Sequence, residues 1–221
     1  MNQSNVQQQW QDLLARPLDF TSREHLIECF GGELTTEQLQ SLQHSPRFQE
    51  RLLRLVMLHF KLPALNTLPV PDERDMPGLL LASSAFEQLP RMCGAVWHAA
   101  TLSREIRKEA VTELRRALGN DVYALALASR DLAGAADLLR EPAQLIESID
   151  HDGRLCVGAW WRSQSVPLQH WMCLRLPGPG TDETRLPRDI DIVRRMTATF
   201  APSTQSLQDT ERSPQAEADT L

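Results

Sequence analysis

Residues 103–118 read SREIRKEAVTELRRAL, and this stretch decides the fold class. Apolar side chains recur every three or four residues along it and so share one face of a helix: Ile106, Ala110, Val111, Leu114 and Leu118. Arginine and lysine alternate with glutamate on the other face. Ser103 is a typical N-cap and Gly119 a typical helix end, so the pattern predicts an amphipathic helix that Ser103 caps and Gly119 terminates.

The composition of the whole chain favours the same kind of structure. Its 221 residues include 34 Leu and 21 Ala but only 9 Val and 6 Ile. Leucine and alanine lose little side-chain freedom in a helix, whereas the branched side chains of Val and Ile favour strands. Aromatic residues are also scarce, at 5% of the chain. The sequence therefore predicts an all-α protein, a compact bundle of short to medium helices.

Proline and charge divide the chain into four regions. Residues 1–62 carry repeated helix-start signals, which predict an N-terminal helical region. Residues 63–77 contain four prolines and predict a linker or surface loop. Residues 78–200 predict the helical core region; within it, 153–162 fits a strand or a helix, and we expect a helix. Residues 201–221 carry four acidic side chains and one basic one, and they predict a disordered acidic tail.

Charge and hydropathy argue against two classes of protein. The net charge is −6, whereas general nucleic-acid binding needs a basic face, so we expect no nucleic-acid partner. Apolar runs such as residues 79–82 are far shorter than the roughly 20 residues that a membrane-spanning helix needs. The first residues have neither the basic nor the apolar part of a secretory signal. These features predict a cytoplasmic protein without direct membrane insertion.

Motifs for nucleotide binding and for catalysis do not occur. The only lysines are Lys61 and Lys108, and neither follows a glycine, which excludes a Walker A loop. The one Gly-x-Gly, at residues 178–180, follows a proline and opens no helix, so it is not a dinucleotide fingerprint. Neither Gly-x-Ser-x-Gly nor His-Glu-x-x-His is found. We therefore expect no cofactor, no catalytic residues and no enzyme activity.

One group of residues has the chemistry of a metal site: His151, Cys156, His170 and Cys173. Two imidazoles and two thiols suit tetrahedral zinc. The spacings are loose, however, and each cysteine lies in an apolar run. The favoured interpretation is that these cysteines, like Cys29 and Cys93, are reduced, buried thiols and that the histidines lie on the surface. Zinc binding is the alternative.

Two pairs of carboxylates can be considered for acid–base chemistry: Asp150 with Asp152, and Asp189 with Asp191. Acid–base catalysis needs groups whose pKa values suit the proton transfer, and no neighbour in the sequence separates the values within either pair. Both pairs lie at polar ends of elements, where acidic residues suit helix starts. We expect all four to be solvated turn or helix-start residues, without a catalytic or metal-binding role.

Two features suggest a protein partner. Tryptophan is enriched at interface hot spots, and the adjacent Trp160 and Trp161 point in different directions on a helix or a strand. The alternative is that this region is buried on all sides within the bundle. The charged face of residues 103–118 is either an arginine-rich stripe for an acidic partner or a solvated surface with weak ion pairs. The candidate interface residues are Arg104, Arg107, Lys108, Arg115, Trp160 and Trp161.

Four pieces of the region between Gly78 and Phe200 resemble a known family. They are Gly78-Leu79-Leu80-Leu81, Ile106, Leu118-Gly119-Asn120-Asp121 with Tyr123-Ala124-Leu125-Ala126, and the block from Gly153 to Trp160-Trp161 closing on Leu174-Arg175-Leu176-Pro177. Together they resemble the SctK (YscK-like) family, cytoplasmic accessory proteins of bacterial type III secretion systems. The resemblance covers a little over half of the chain.

The resemblance implies a non-catalytic adaptor in the sorting platform, at the cytoplasmic face of the inner membrane. It implies as partners the SctD-like inner-membrane ring protein and the SctQ-like pod protein, with SctL-like and ATPase components further in. It assigns no contact residues. The alternatives are a helical secretion chaperone and a small metal-binding or enzymatic helical domain.

Overall fold

The structure, a computed structural model, describes residues 3–136, 141–176, 178 and 187–200. Within these ranges the chain forms α-helices and three short 3-10 helices, and it forms no strand. The α-helices are α1 (Gln3–Ala15), α2 (Arg23–Glu28), α3 (Thr36–His44), α4 (Pro46–His59), α5 (Met76–Leu79), α6 (Ser83–Trp97), α7 (Ala99–Arg104), α8 (Lys108–Leu118), α9 (Asn120–Ala128), α10 (Pro142–Ser163), α11 (Val166–Cys173) and α12 (Pro187–Thr199). The all-α prediction is confirmed, as is the helix at 153–162.

The centre of the bundle is a close antiparallel crossing of α6 and α10. A Cβ atom built on Gly94 would lie 1.9 Å from the carbonyl oxygen of Ile149, and one built on Gly153 would lie 1.7 Å from that of Pro90. The two backbones therefore touch where each helix carries a glycine. Pro90 lies inside α6, which continues through it to Trp97. The close approach lets the flanking side chains interdigitate into a dense core.

The main hydrophobic core surrounds this helix pair. Helix α12 lies against both helices through Ile192, Val193 and Met196, none of which is exposed to solvent. Helices α8 and α9 bury one apolar face each, and α1 joins the same core through Val6 and Trp10. The N-terminal helix therefore packs on the region that begins at residue 78.

A second, smaller core lies among α2, α3 and α4. Its buried residues are Leu18, Leu26, Leu39, Leu52, Val56, Leu62 and, from beyond α11, Leu174. The indole N–H of Trp171 in α11 donates to the carbonyl oxygen of Pro63 at 3.0 Å. These contacts join the N-terminal helices to α11, while the division of the chain at residues 63–77 stays a prediction.

The proline-rich segment 63–77 is fastened to the bundle by a buried carboxylate. Arg194 of α12 donates two hydrogen bonds to Asp75, at 2.7 and 2.8 Å, and the indole N–H of Trp160 donates to the same carboxylate at 2.9 Å. Because Asp75 is only 4% exposed, its charge needs these partners. The segment therefore holds α10 and α12 together at one end of the bundle.

The amphipathic helix predicted over residues 103–118 begins later than its pattern indicates. Ser103 belongs to the last turn of α7, where its hydroxyl donates to the carbonyl oxygen of Ala100 at 2.8 Å, and α8 starts only at Lys108. Ala110, Leu114 and Leu118 are buried as expected, but Ile106 is 90% exposed in the turn between the two helices. Gly119 ends α8 with a φ of +88°, a conformation that glycine adopts easily. The predicted tail, 201–221, lies outside the described residues.

Candidate protein-interaction site

The basic residues singled out in the sequence lie around the turn from α7 to α8. Arg104 ends α7, Arg107 lies in the turn, and Lys108 begins α8; all three are exposed. Arg115 is also exposed, and it follows Lys108 by seven residues, so the two lie on the same face of α8 two turns apart. The four predicted basic residues are thus all exposed on the α7–α8 unit, in the turn and along one side of α8, and we call these four residues the basic face.

The turn itself is held by a chelating ion pair. Arg107 donates to Glu105 from its backbone N–H at 2.9 Å and from its guanidinium at 3.0 and 2.8 Å. The same guanidinium donates to Glu141, just before α10, at 3.3 Å. Hydrogen bonds from Arg107 lower the pKa of Glu105 to about 2, so its carboxylate is charged at neutral pH. The basic face therefore begins at an ordered turn.

Tyr123 of α9 supports the basic face from inside. Its hydroxyl donates to the carbonyl oxygen of Leu102 at 3.2 Å, and the guanidinium of Arg115 lies 5.2 Å from the centre of its ring. A cation over an aromatic face is attracted by the negative charge of the ring surface. The contact gives Arg115 a fixed place on the surface of the bundle.

The two tryptophans do not belong to this surface. Trp160 is 0% and Trp161 4% exposed, and the ring of Phe86 packs against both, with centroids 6.4 and 6.2 Å apart. The hypothesis that one of them anchors a partner is therefore wrong, and the alternative of a region buried on all sides is confirmed. The reason is that the part of α10 around residues 155–161 is buried on all sides, with α6 and α12 packed on the helix and the Asp75 carboxylate at the indole of Trp160.

The residues considered for zinc do not form a site. Within the described ranges, no group of three or more His, Cys, Asp or Glu side chains is arranged to hold a metal ion. Cys156 is buried in α10, and its thiol donates to the carboxylate of Asp189 at 3.3 Å. His151 and His170 are exposed, as predicted. The expected burial of Cys173 is wrong, because this residue lies on the outer face of α11, and Cys29 is only partly buried.

Three of the four paired carboxylates make specific contacts, so the expectation of solvated residues is wrong for them. Asp150 accepts two hydrogen bonds from Arg91, at 2.9 and 2.8 Å. Asp152 lies 2.7 Å from the imidazole of His98, and Asp189 is fully buried beside Cys156. Asp191 is exposed, as expected.

No local sequence pattern indicates these contacts, because the partners are 33 to 59 residues apart in the chain. Residues 150–153, Asp-His-Asp-Gly, have the composition of a turn but lie in the middle of α10. Each contact joins two helices. Arg91 lies in α6, His98 is the C-cap of α6, and Asp189 lies in α12. The carboxylates thus align the helices around the α6–α10 crossing.

A shallow groove on another face is lined by α6, α10 and the α8–α9 corner. Its volume is about 550 Å³, and its apolar lining comes from Pro90, Met92, Leu118 and Val122. The Arg91–Asp150 ion pair crosses its rim. The groove is open to solvent and mixed in charge, and it lacks the enclosure that small-molecule sites have.

Fold and surface define a class: an all-α bundle that presents a charged face held by ordered ion pairs. No helix within the described ranges is long and apolar enough to cross a membrane.

Comparison with known proteins finds a partial relative. The chain is 30% identical over 86 residues to Nodulation protein NolU of Rhizobium fredii, and the match covers 39% of this chain and 41% of that protein. Nodulation protein NolU of Sinorhizobium fredii (strain NBRC 101917 / NGR234) matches with the same figures. The chain thus aligns with about two-fifths of the length of these curated relatives. No protein-family model and no solved structure matches it.

Proposed function

We propose that this protein is a non-catalytic adaptor of a bacterial type III secretion system. It joins the SctD-like inner-membrane ring protein to the cytoplasmic sorting platform and works at the cytoplasmic face of the inner membrane. The resemblance to the SctK family suggests this role, and the similarity to a nodulation protein is compatible with it. Its direct partners are the SctD-like ring protein and the SctQ-like pod protein, and SctL-like and ATPase components belong to the same assembly.

The observation that carries the proposal is the basic face. Arg104, Lys108 and Arg115 are exposed, whereas several other charged groups of the described residues, such as Arg91 with Asp150 and His98 with Asp152, join the bundle's own helices. A surface of this kind attracts an acidic partner and fixes its orientation, which is what a bridging protein needs. The acid–base candidates Asp150, Asp152 and Asp189 serve helix packing, which supports a role without catalysis.

Binding to purified partners tests the proposal. The full chain is titrated against the SctD-like cytoplasmic domain and the SctQ-like protein encoded in the same genome. Charge reversal by Lys108→Glu with Arg115→Glu should weaken binding to at least one of them by about tenfold or more, because complementary charges steer and orient the complex. The matched control is Arg51→Glu with Arg54→Glu on the exposed face of α4, which should change affinity by less than about twofold.

Two other results would contradict the proposal. Binding of neither protein by the wild-type chain would remove the adaptor role. Selective binding of a purified secreted effector, with no affinity for the ring or pod protein, would show a secretion chaperone instead. Thermal melting of each variant shows whether a loss of binding comes from a loss of fold.

A further inference from the structure

The most exposed large apolar side chain in the described part of the molecule lies in the turn at which the basic face begins. Ile106 is 90% exposed, in the turn between α7 and α8. A single exposed aliphatic residue is common and needs no explanation of its own. Ile106 differs in three respects: its backbone is held by hydrogen bonds, its neighbours are charged, and no element within the described residues covers it.

The backbone on both sides of Ile106 is held in place. Glu105 and Arg107 pair with each other across it, and Arg107 also reaches Glu141 at the start of α10. The Glu105 side chain is only 5% exposed, whereas that of Arg107 is 49% exposed, so the carboxylate side of the ion pair is shielded from water. Binding through such a turn loses less conformational freedom than binding through a flexible loop, which favours affinity.

The charges around Ile106 define the chemistry of its partner. Residues 104–108, Arg-Glu-Ile-Arg-Lys, contain three basic side chains and one acidic one; together with Glu141, which also pairs with Arg107, they carry a net charge of +1 within a chain whose net charge is −6. Val70 is nearly as exposed, at 80%, but its neighbours include Asp72 and Glu73. The two sites offer similar apolar surface with opposite charge.

We propose that Ile106 is the anchor of the basic face and inserts into an apolar pocket rimmed by carboxylates on a protein partner. The inference rests on the adaptor function proposed above and names the chemistry of its partner. An apolar residue at the centre of an interface, surrounded by polar groups that exclude water, is the arrangement typical of binding hot spots. Arg104 and Lys108, one on each side of the turn, supply the basic rim.

The test compares Ile106→Asp with Val70→Asp in the same binding titrations. We expect Ile106→Asp to weaken binding to the SctD-like domain or the SctQ-like protein by about tenfold or more, because it places a carboxylate against an acidic pocket. Val70→Asp should leave affinity within about twofold. Ile106→Leu should retain binding because it keeps the apolar volume. The melting temperature of Ile106→Asp should match the wild type, since the side chain is 90% exposed.

A photo-crosslinking residue at position 106 gives a readout that is independent of folding defects in the Asp variant. Crosslinks from 106, and not from 70, should fall on partner segments that combine apolar residues with Asp or Glu. If the wild type binds but Ile106→Asp binds equally well, the anchor is refuted and the adaptor function stands.

If the wild type binds neither protein, both proposals fail together. If Ile106→Asp instead abolishes self-association in sedimentation, the turn is a contact between copies and the acidic partner is refuted.

Discussion

Replacing Gly94 by alanine tests the close α6–α10 crossing on which the arrangement of the bundle depends. The new Cβ would lie 1.9 Å from the carbonyl oxygen of Ile149, whereas ordinary van der Waals contact begins at 3.4 Å. The helices must therefore separate by about 1.5 Å, since the obstructing atom belongs to the backbone and cannot rotate away. Such overpacking costs up to about 3 kcal/mol.

Helix propensity acts in the opposite direction. Alanine is favoured over glycine in a helix by about 1 kcal/mol, so the net destabilisation is about 2 kcal/mol. For a protein of this length, that loss lowers the melting temperature by roughly 4 to 8 °C. Thermal and urea unfolding, followed by circular dichroism, measure both quantities. Ala124→Gly on the exposed face of α9 calibrates the propensity contribution.

The double variant sharpens this test. Gly153→Ala should destabilise the protein to a similar extent, because its Cβ would lie 1.7 Å from the carbonyl oxygen of Pro90. Once one alanine has moved the helices apart, the second alanine has more room. The double variant should therefore lose less free energy of unfolding than the sum of the two single losses. A rise in melting temperature for Gly94→Ala would refute the close crossing.

Three further variants or measurements examine the core, the turn and the thiols. Trp161→Ala should destabilise the protein by about 3 to 5 kcal/mol in urea unfolding, because it empties a buried site; an unchanged urea midpoint with lost partner binding would place Trp161 on the surface instead. Because the pKa of Glu105 is lowered to about 2, the Glu105–Arg107 pair stabilises the fold above the unfolded-state pKa near 4.3 and loses that effect as the pH falls towards 2. Glu105→Gln should flatten the stability profile over that interval, and an identical slope in both proteins would contradict the pairing. A thiol reagent should label the exposed Cys173 in the native protein but the buried Cys93 only after unfolding. Burial also raises the pKa of the Cys93 thiol, which slows its reaction further. Rapid labelling of Cys93 in the native protein would contradict its burial.

Periodic patterns predicted the helices well because a helix that is buried on one face carries apolar residues every three or four positions. Ala110, Leu114 and Leu118 are buried as their spacing indicates. Ile106 follows the same spacing but is exposed, because the Glu105–Arg107 pair opens the chain between α7 and α8. A helical pattern does not show where a local ion pair interrupts the helix.

Contacts between residues that are far apart in the chain produce no such local repeat. The sequence suggested a surface role for Trp160 and Trp161, because a narrow apolar stripe has room for only one of two adjacent tryptophans. The structure buries both because residues 155–161 of α10 are buried on all sides, a property of tertiary packing. Likewise, Gly94 and Gly153 looked like ordinary glycines, and only the crossing of α6 and α10 shows that neither position has room for a side chain.

The most direct test of the adaptor role is whether the protein binds the ring and pod proteins at the same time. Sedimentation velocity of the full chain mixed with the SctD-like cytoplasmic domain and the SctQ-like protein measures this. The adaptor role predicts a ternary complex that disappears when the chain is left out. Two mutually exclusive binary complexes, or no complex with either protein, would contradict it.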